Sequence, residues 1–360
     1  MKRTKKVMAM ILALAMVVLT LAACGGSSSG ASSSAAPAAE PAAAEPAAAE
    51  AGSSEAQASA SVDWPTKTVS VVVPYNAGGD TDSYCRALFD KIAKKTGGTF
   101  VVTNLTGGSG MVAAMDVMGK KPDGYTILFN HTGASLVQEA TGTAEFSYTN
   151  DFDNCATVAL DDTYSLVAIN PTGQYAQYSK GFTDLPGMIE YAKAHPGELR
   201  YSTVFGSTTE YVGNLLCKLA GIQFDNIDVG TSSGDRLAAL LGGQVELAAF
   251  NYMNVAEYIE NGDLVCLGVM ADERVEGIDF PTMKEQGFDV VNAKKYEVKF
   301  PKGTDPAIVD YLSGLCKEVT EDPEFADVLK TYYARPYYRD AATMNTEDPA
   351  EVEELKAGMQ

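Results

Sequence analysis

Three short loops carry the residue types that could bind an anion. Residues 74–82, 104–110 and 203–208 are rich in glycine, serine and threonine, and each precedes a predicted helix. Glycine lets a ligand approach the main chain closely, and hydroxyl groups add hydrogen-bond donors. The free N–H groups at a helix N-terminus carry the positive end of the helix dipole. The loops therefore favour a small anion, such as a carboxylate, over a cation.

The same loops could have a structural role or bind a nucleotide. Any one loop could serve tight-turn geometry alone, but three at equivalent strand ends indicate a shared site. Nucleotide binding is disfavoured, because residues 107–110 do not fit G-x-G-x-x-G in a first strand–helix turn and no G-K-[ST] follows any loop.

The elements that must position the loops alternate between strand and helix. Strands are predicted at residues 69–73, 100–103 and 125–130, with helices between them and one at 111–118. The same alternation recurs over residues 199–270. It predicts an α/β fold with largely parallel sheets, in which the ligand crevice lies beyond the carboxyl ends of the strands.

Length and charge narrow the class of protein. The chain has 360 residues and a formal net charge of −20. That length exceeds what one hydrophobic core usually supports, so we expect at least two domains. The acidic balance argues against a nucleic-acid partner, which needs clustered Lys and Arg. It also disfavours adhesion to anionic lipid through a basic face.

The N-terminus predicts export. Residues 1–23 combine a cationic start with an apolar stretch, and Leu-Ala-Ala-Cys at residues 21–24 resembles the bacterial lipobox. We expect a lipoprotein signal peptide, cleavage before Cys24 and lipid modification of that cysteine; an uncleaved anchor is the alternative. Both place the body outside the cytoplasm, and the first anchors it to the outer face of the bacterial cell membrane.

A tether is predicted at residues 24–62. After Cys24 it consists almost entirely of Ala, Ser, Gly, Pro and Glu, with no aromatic residue. So little apolar area cannot offset the entropy of ordering, so we expect this segment to be disordered. The folded body is predicted to start near residue 63.

Cysteine and histidine usage argues against metal and catalytic chemistry. No C-x-x-C pair occurs, so zinc is disfavoured, and we expect buried free thiols at Cys85, Cys155, Cys217, Cys266 and Cys316. The chain has 2 histidines and contains neither H-E-x-x-H nor G-x-S-x-G. We expect no metal, no cofactor and no enzyme activity. An extracytoplasmic enzyme acting on a carboxylate and a structural lipoprotein stay open as alternatives.

Several motifs follow one another along the body. They are PYNAGGDTDSYCR at residues 74–86, NLTGGSG at 104–110, KPDGYTI at 121–127 and GDRLAALLGGQVE at 234–246. The sequence resembles the solute receptors of tripartite tricarboxylate transporters, the Bug or TctC family. The corresponding family motifs read P-F-x-x-G-G-x-x-D-x-x-A-R, N-R-P-G-A-G-G, P-D-G-Y-T-L and G-E-A-M-A-A-L-L-G-G-x-V-D. The resemblance covers residues 64–329.

The resemblance implies a two-lobed periplasmic-binding-protein fold of the Venus flytrap, type II-like kind, with a mainly parallel sheet in each lobe. Lobe 1 would comprise residues 63–163 and 280–360, and lobe 2 residues 164–279. The lobes would close over a small carboxylate held by main-chain amides. The protein, a monomer, would deliver it to the integral-membrane permease subunits of a tripartite transporter. A receptor that reports its ligand to a membrane sensor is the alternative.

The resemblance also implies the ligand-binding residues by position. Those of lobe 1 are Tyr75, Asn76, Ala77, Gly78, Gly79, Asp82, Gly107, Gly108, Ser109 and Gly110. Those of lobe 2 are Ser202, Thr203, Phe205, Gly206, Ser207 and Thr208, with residues 231–235 nearby. Ser109 replaces a glycine of the family motif.

Four polar residues near these loops have competing interpretations. His131 and Thr132, at the end of a predicted strand, are candidate crevice residues, with a hydrogen-bonded structural histidine as the alternative. Asp82 could instead cap its helix and pair with Arg86 at i,i+4 spacing. Glu210 stands where many relatives have histidine, and it would meet an amine or a hydroxyl if it faces the crevice.

Overall fold

A computed structural model describes residues 62–230 and 232–359 of the chain. The predicted signal peptide, the lipidation site at Cys24 and almost all of the predicted tether lie outside the described residues. Among the helices that are described, none is both long and apolar enough to cross a membrane.

The chain builds one lobe, crosses to a second and returns to the first. Its first elements are β1 (Val69–Val73), α1 (Asp80–Thr96), β2 (Phe100–Asn104), α2 (Met111–Met118), β3 (Thr126–His131), α3 (Thr132–Thr141) and β4 (Phe152–Asp161). The second lobe contains β5 (Tyr164–Ile169), α4 (Leu185–Ala194), β6 (Arg200–Thr203), α5 (Thr208–Ala220), β7 (Asp225–Asp228), α6 (Ser233–Leu241), β8 (Leu247–Asn251), α7 (Ala256–Glu260) and β9 (Leu264–Val269). The returning elements are β10 (Lys294–Pro301), α8 (Pro306–Thr320), α9 (Pro323–Lys330), β11 (Arg335–Asp340) and α10 (Ala341–Met359).

Each lobe is built on one sheet. Lobe 1 has a six-stranded sheet in the order β11-β4-β10-β3-β1-β2. Here β1 pairs in parallel with β2 and β3, whereas β10 pairs antiparallel with β3 and β4. Lobe 2 has a five-stranded sheet in the order β7-β6-β8-β5-β9. In it β6 is parallel to β7 and β8, and β5 is antiparallel to β8 and β9. The chain thus has the two-lobed α/β architecture expected from its sequence.

The sheets are mixed, which corrects the expectation of a mainly parallel sheet in each lobe. The reason is the crossing of the chain between lobes. Strand β10 enters lobe 1 and is inserted between β3 and β4, and β5 enters lobe 2 and is inserted between β8 and β9. A strand that starts at the junction must run against those that end there. The exact division of the chain, residues 63–163 with 280–360 against 164–279, stays a prediction.

Each lobe buries its own hydrophobic core. In lobe 1, Tyr84 and Phe300 belong to the core between the sheet and its helices, and in lobe 2 Tyr201 and Leu216 have the same role. Each buried side chain of this size stabilises the folded lobe by about 1.5–3 kcal/mol. The sheets therefore hold the loops at their edges firmly. The five cysteines in the described part of the chain are free thiols as expected, four of them buried, whereas Cys217 is half-buried.

Candidate functional site

A cavity of about 380 Å³ lies between the two lobes, and we call it the cleft. The lobe 1 wall consists of the loops 74–79 and 106–110, which follow β1 and β2. The lobe 2 wall includes Val204 and residues 207–209, which follow β6, and the first turn of α6. Loops of this kind enter helices whose first N–H groups have no intrahelical acceptor.

The lobe 1 wall depends on backbone conformations that favour glycine. Gly78 has a φ of +81° and Gly107 a φ of +134°. A Cβ atom at Gly107 would lie 2.9 Å from Cγ2 of Val112, whereas nothing lies within 4 Å of one at Gly78. Ser109 adopts a φ of +51° despite its side chain. Gly78, which lines the cleft, therefore has open space beside its main chain.

Asp82 braces the first loop. Its carboxylate accepts hydrogen bonds from the Gly78 N–H at 2.9 Å, from Arg86 Nε at 3.0 Å and from Asn104 Nδ2 at 3.0 Å. Asn104 Nδ2 also donates to the Tyr75 carbonyl at 2.9 Å. Burial opposes the ionisation of Asp82, but these hydrogen bonds outweigh it and lower its pKa. Asp82 does not line the cleft, because its carboxylate is used to hold the loop and the Arg86 side chain.

A buried glutamine braces the second loop. Gln138 of α3 donates through Nε2 to the Ser109 carbonyl at 3.1 Å. Its Oε1 atom accepts the Tyr148 hydroxyl at 3.0 Å. Gln138 is fully buried. The loop conformation is therefore fixed by a side chain from another element as well as by its own glycines.

His131 ends β3 and stacks under Tyr75. The two ring centroids are 4.8 Å apart and the planes are inclined by 11°. Burial, together with the nearby Lys294 ammonium, lowers the pKa of His131 to about 3, so the ring is neutral at physiological pH. Thr132 does not line the cleft. Its hydroxyl accepts the Lys295 N–H at 3.0 Å, and it borders another cavity.

A buried charged cluster forms the base of the cleft, and sequence reasoning missed it. Lys294, at the start of β10, donates to Asn251 Oδ1, and its Nζ lies 4.9 Å from the centroid of the Tyr164 ring. Asn251 in turn donates to the carboxylate of Asp161. Burial raises the pKa of Asp161. Each residue comes from a different strand, so only the junction of the lobes brings them together.

Asp80 adds a second acid to this cluster. Its carboxylate accepts the Tyr296 hydroxyl at 2.7 Å and the Thr81 N–H at 2.8 Å. Burial disfavours the ionised form of Asp80, but the Lys294 charge and these hydrogen bonds lower its pKa overall. The Lys294 charge thus favours the ionised forms of two acids, Asp80 and Asp161, although it forms no salt bridge with either.

The lobe 2 wall has a simpler brace. Ser207 and Thr208 line the cleft, and the Ser207 hydroxyl caps α5 by accepting the Thr209 N–H at 3.2 Å. The Gly206 N–H is donated to Glu210 Oε2 at 2.7 Å. Gly206 and Glu210 border a separate cavity of about 280 Å³. Glu210 therefore holds the loop from outside the cleft and does not line it.

Arg236 lines the cleft from the first turn of α6, and the sequence reasoning missed it too. Its side chain is 7% exposed. Nη2 donates to the Ser233 hydroxyl at 3.2 Å, and the guanidinium lies 5.4 Å from the centroid of the Phe250 ring. Nε has no hydrogen-bond partner among the described residues.

The structure brings most predicted lobe 1 residues to the cleft together with two from lobe 2. Those lining it are Tyr75, Asn76, Gly78, Gly79, Gly107, Gly108, Ser109, Gly110, His131, Ser207 and Thr208. Those that do not line it are Ala77, Asp82, Thr132, Ser202, Thr203, Phe205, Gly206 and Glu210. Ser202 and Thr203 are fully buried, whereas Phe205 is 58% exposed to solvent.

The chemistry of the lining suits an anion. It offers main-chain N–H groups at helix starts, the hydroxyls of Ser109, Ser207 and Thr208, and the buried cations Arg236 and Lys294, beside the acid Asp80. Within the described ranges, no group of three or more His, Cys, Asp or Glu side chains is placed to hold a metal ion.

Comparison with known proteins identifies the class. Residues 84–354 match the family model of the tripartite tricarboxylate transporter family receptor. The chain belongs to this family. The resemblance of the sequence motifs is thereby confirmed, and membership makes the protein a solute-binding receptor that acts outside the cytoplasm.

Individual relatives span most of the receptor. The chain is 30% identical over 284 residues to the "UPF0065 protein in gbd 5'region" of Cupriavidus necator, and the aligned region covers 78% of this chain and 83% of that protein. It is similar to the structure of MatC from Rhodopseudomonas palustris with bound malate (24% identity, TM-score 0.71, 82% of this chain and 100% of that one). A second R. palustris structure, with adipate, is 25% identical (TM-score 0.71, 82% and 97% covered). These likenesses confirm the periplasmic-binding-protein fold.

Proposed function

We propose that this receptor captures a small carboxylate in the cleft through the main-chain N–H groups of its lobe 1 wall. These groups lie at the starts of α1 and α2, where the helix dipole favours negative charge. The observation that carries the proposal is the run of positive φ angles at residues 107–110, which line the cleft together with Gly78. The adipate in the related R. palustris structure supports a carboxylate as the ligand.

Capture is coupled to closure and delivery. A ligand that contacts both walls favours the closed arrangement, because only contacts that differ between two states shift their equilibrium. The closed receptor docks on the permease subunits of a tripartite transporter. The lipid on Cys24 and the tether of residues 24–62 keep it near them. A membrane sensor could use the same closure, and an uptake measurement distinguishes the two roles.

Thermal melting of the purified protein against a panel of carboxylates tests capture. A ligand at 100 times its Kd should add about 2.7 kcal/mol of stability. Gly78→Val should lose this response. Gly262→Val is the matched control, since Gly262 has a φ of +77° and, like Gly78, nothing within 4 Å of an added Cβ. Both variants should lower the melting temperature of the free protein, but only Gly78→Val should lose the ligand response.

Two results would contradict capture by the lobe 1 wall. One is the absence of any response to the panel in the wild type. The other is an undiminished response in Gly78→Val.

Uptake in the native host tests delivery. Cys24→Ser should release the receptor from the membrane fraction. Uptake of the labelled acid that gives the largest thermal shift should then fall. Unchanged uptake after deletion of the whole receptor gene would instead favour the sensing role.

A further inference from the structure

Two cations border the cleft, and they differ in how their charges are compensated. Lys294 donates to Asn251, which donates to Asp161, and the Lys294 charge favours the ionised forms of Asp80 and Asp161. Lys294 forms no salt bridge among the described residues, but a buried charge that is hydrogen-bonded and near acids in this way is part of the architecture of the site. Lys294 therefore has nearby acids of the protein as counter-ions.

Arg236 has no such counter-ion. Among the described residues it makes no salt bridge, its only side-chain hydrogen bond goes to Ser233, and Nε has no partner although the side chain is 7% exposed. A guanidinium has five N–H donors, and leaving them unpaired in a buried site is costly. The Phe250 ring supplies a cation–π contact only.

The position of Arg236 in its helix is unfavourable for a cation. It lies in the first turn of α6, where the helix dipole is positive and a cation is disfavoured. The nearest acid in sequence, Asp235, is exposed and its carboxylate accepts the Ser232 hydroxyl at 2.7 Å in a capping box. The start of α6 is thus capped by Ser232 and Asp235, whereas the Arg236 guanidinium gives the lobe 2 wall a buried positive charge with no salt bridge among the described residues.

We infer that Arg236 binds a second anionic group of the ligand, so that the receptor selects dicarboxylates over monocarboxylates. This inference rests on the proposed function: one carboxylate is held by the lobe 1 wall, and the other reaches Arg236 across the cleft. A cleft of about 380 Å³ is within the range of small-molecule sites. The family motif G-E-A-M-A-A has alanine where this chain has Arg236, so the charge sets this receptor apart from that pattern.

Calorimetry with matched acids tests the selection. The probes are adipate against hexanoate and succinate against butyrate, which differ by one carboxylate at equal chain length. We expect the wild type to bind the better diacid about 10- to 100-fold more tightly than its monoacid. Arg236→Gln should lose most of that preference while binding the monoacid within about threefold of the wild type. Arg236→Lys, which keeps the charge without the planar fork, should be intermediate.

Two further measurements keep the test independent of folding. The free Arg236→Gln protein should melt at or above the wild-type temperature, since the substitution removes an unpaired buried charge. Arg274→Gln is the control, because Arg274 is a half-exposed arginine of lobe 2 that pairs with Glu285 and does not line the cleft. It should leave both affinities unchanged.

Two outcomes overturn the inference alone. One is equal binding of diacid and monoacid by the wild type; the other is an equal loss of both in Arg236→Gln. Failure of the wild type to bind any acid of the panel overturns the proposed function itself.

Discussion

The two walls of the cleft contain the same kind of hydrogen bond, but its acceptor has more partners in lobe 1 than in lobe 2. In each, a glycine of positive φ donates its N–H to an acid four residues later: Gly78 to Asp82 at 2.9 Å and Gly206 to Glu210 at 2.7 Å. Asp82 is buried and also binds Arg86 and Asn104. Glu210 is half-buried and makes no salt bridge among the described residues.

This difference predicts a different role in ligand binding for each wall. A loop whose brace is buried and shared among several donors loses little freedom when it binds, so its contacts contribute fully to affinity. The lobe 2 loop is held mainly by hydrogen bonds among its own residues, such as that from the Val204 N–H to Thr209 Oγ1 at 2.9 Å, and its acid Glu210 accepts only the Gly206 N–H. A loop held in this way can move with its own helix when the lobes approach each other. We therefore expect lobe 1 to hold the carboxylate in a preformed wall and lobe 2 to adapt around the rest of the ligand.

The largest effect should come from Asp82→Asn. The substitution keeps the shape but removes the charge and turns an amide NH₂ toward donors. We expect the free energy of unfolding to fall by about 2–4 kcal/mol, since hydrogen bonds to a charged group contribute about 1.5–3 kcal/mol each and Arg86 is partly exposed. Carboxylate affinity should fall at least about tenfold. Urea unfolding and calorimetry measure the two effects.

The pH dependence of the stability loss in Asp82→Asn tests whether the charge of Asp82 causes that loss. Hydrogen bonds overcome burial and lower the pKa of Asp82 in the folded state. Its stabilisation is therefore complete above the unfolded pKa of about 4 and is lost as the pH falls through the lower folded value. The gap between wild type and Asp82→Asn should be constant above about pH 5 and shrink below about pH 4. Asp116→Asn, in an exposed i,i+4 pair with Lys120, should show no comparable gap. A gap that persists unchanged at pH 3 would contradict the brace.

The second loop of lobe 1 should respond next most strongly, through Gln138→Met. The variant fills similar volume but leaves the Ser109 carbonyl and the Tyr148 hydroxyl without their partner. We expect a loss of about 1–3 kcal/mol in unfolding free energy. Tyr148→Phe separates the parts: it removes one bond and keeps the contact to the loop. If Tyr148→Phe weakens ligand binding as much as Gln138→Met, the brace on Ser109 is not what matters.

The glycine loops could be predicted from sequence, whereas their braces and the charged base could not. A glycine before a helix start is a local signal, and residues 78 and 107–110 line the cleft, while their contact with a ligand stays a prediction. Asp82 and Glu210 have two interpretations in the sequence, because a side chain one turn into a helix can reach forward into a crevice or back to its own loop. Sequence does not distinguish these two directions.

The cleft residues that the sequence does not indicate could not be predicted for a different reason. Lys294, Asn251 and Asp161 stand at the junction ends of three strands, and they meet only because the chain crosses between lobes. No spacing in the sequence links them. Arg236 sat inside a recognised motif, but its burial and missing partner are properties of packing. From the sequence alone, Arg236 cannot be distinguished from an ordinary exposed cation near the start of a helix.

Ser109→Gly should have a smaller effect and of the opposite sign. A non-glycine residue with a φ of +51° is strained by about 1–2 kcal/mol, and the greater freedom of glycine in the unfolded chain offsets part of that. We expect a net gain of up to about 1 kcal/mol in chemical unfolding. Ser109→Ala is the control, because it keeps the strain and removes the hydroxyl. If both variants weaken carboxylate binding equally, the hydroxyl contacts the ligand; if neither does, only the main chain of this loop is used.

The smallest effect should come from Glu210→Gln, the counterpart of Asp82→Asn in lobe 2. The amide oxygen of glutamine can still accept the Gly206 N–H, and no buried cation loses a partner. We expect unfolding free energy to change by less than about 0.5 kcal/mol and affinity by less than about threefold. Glu210→Gln and Asp82→Asn should be measured in the same unfolding and calorimetric experiments, because the difference between their effects tests the comparison of the two walls. Equal losses in the two would mean that both loops are held equally firmly, and lobe 2 would then have to close as a rigid body with no adjustment of residues 204–209.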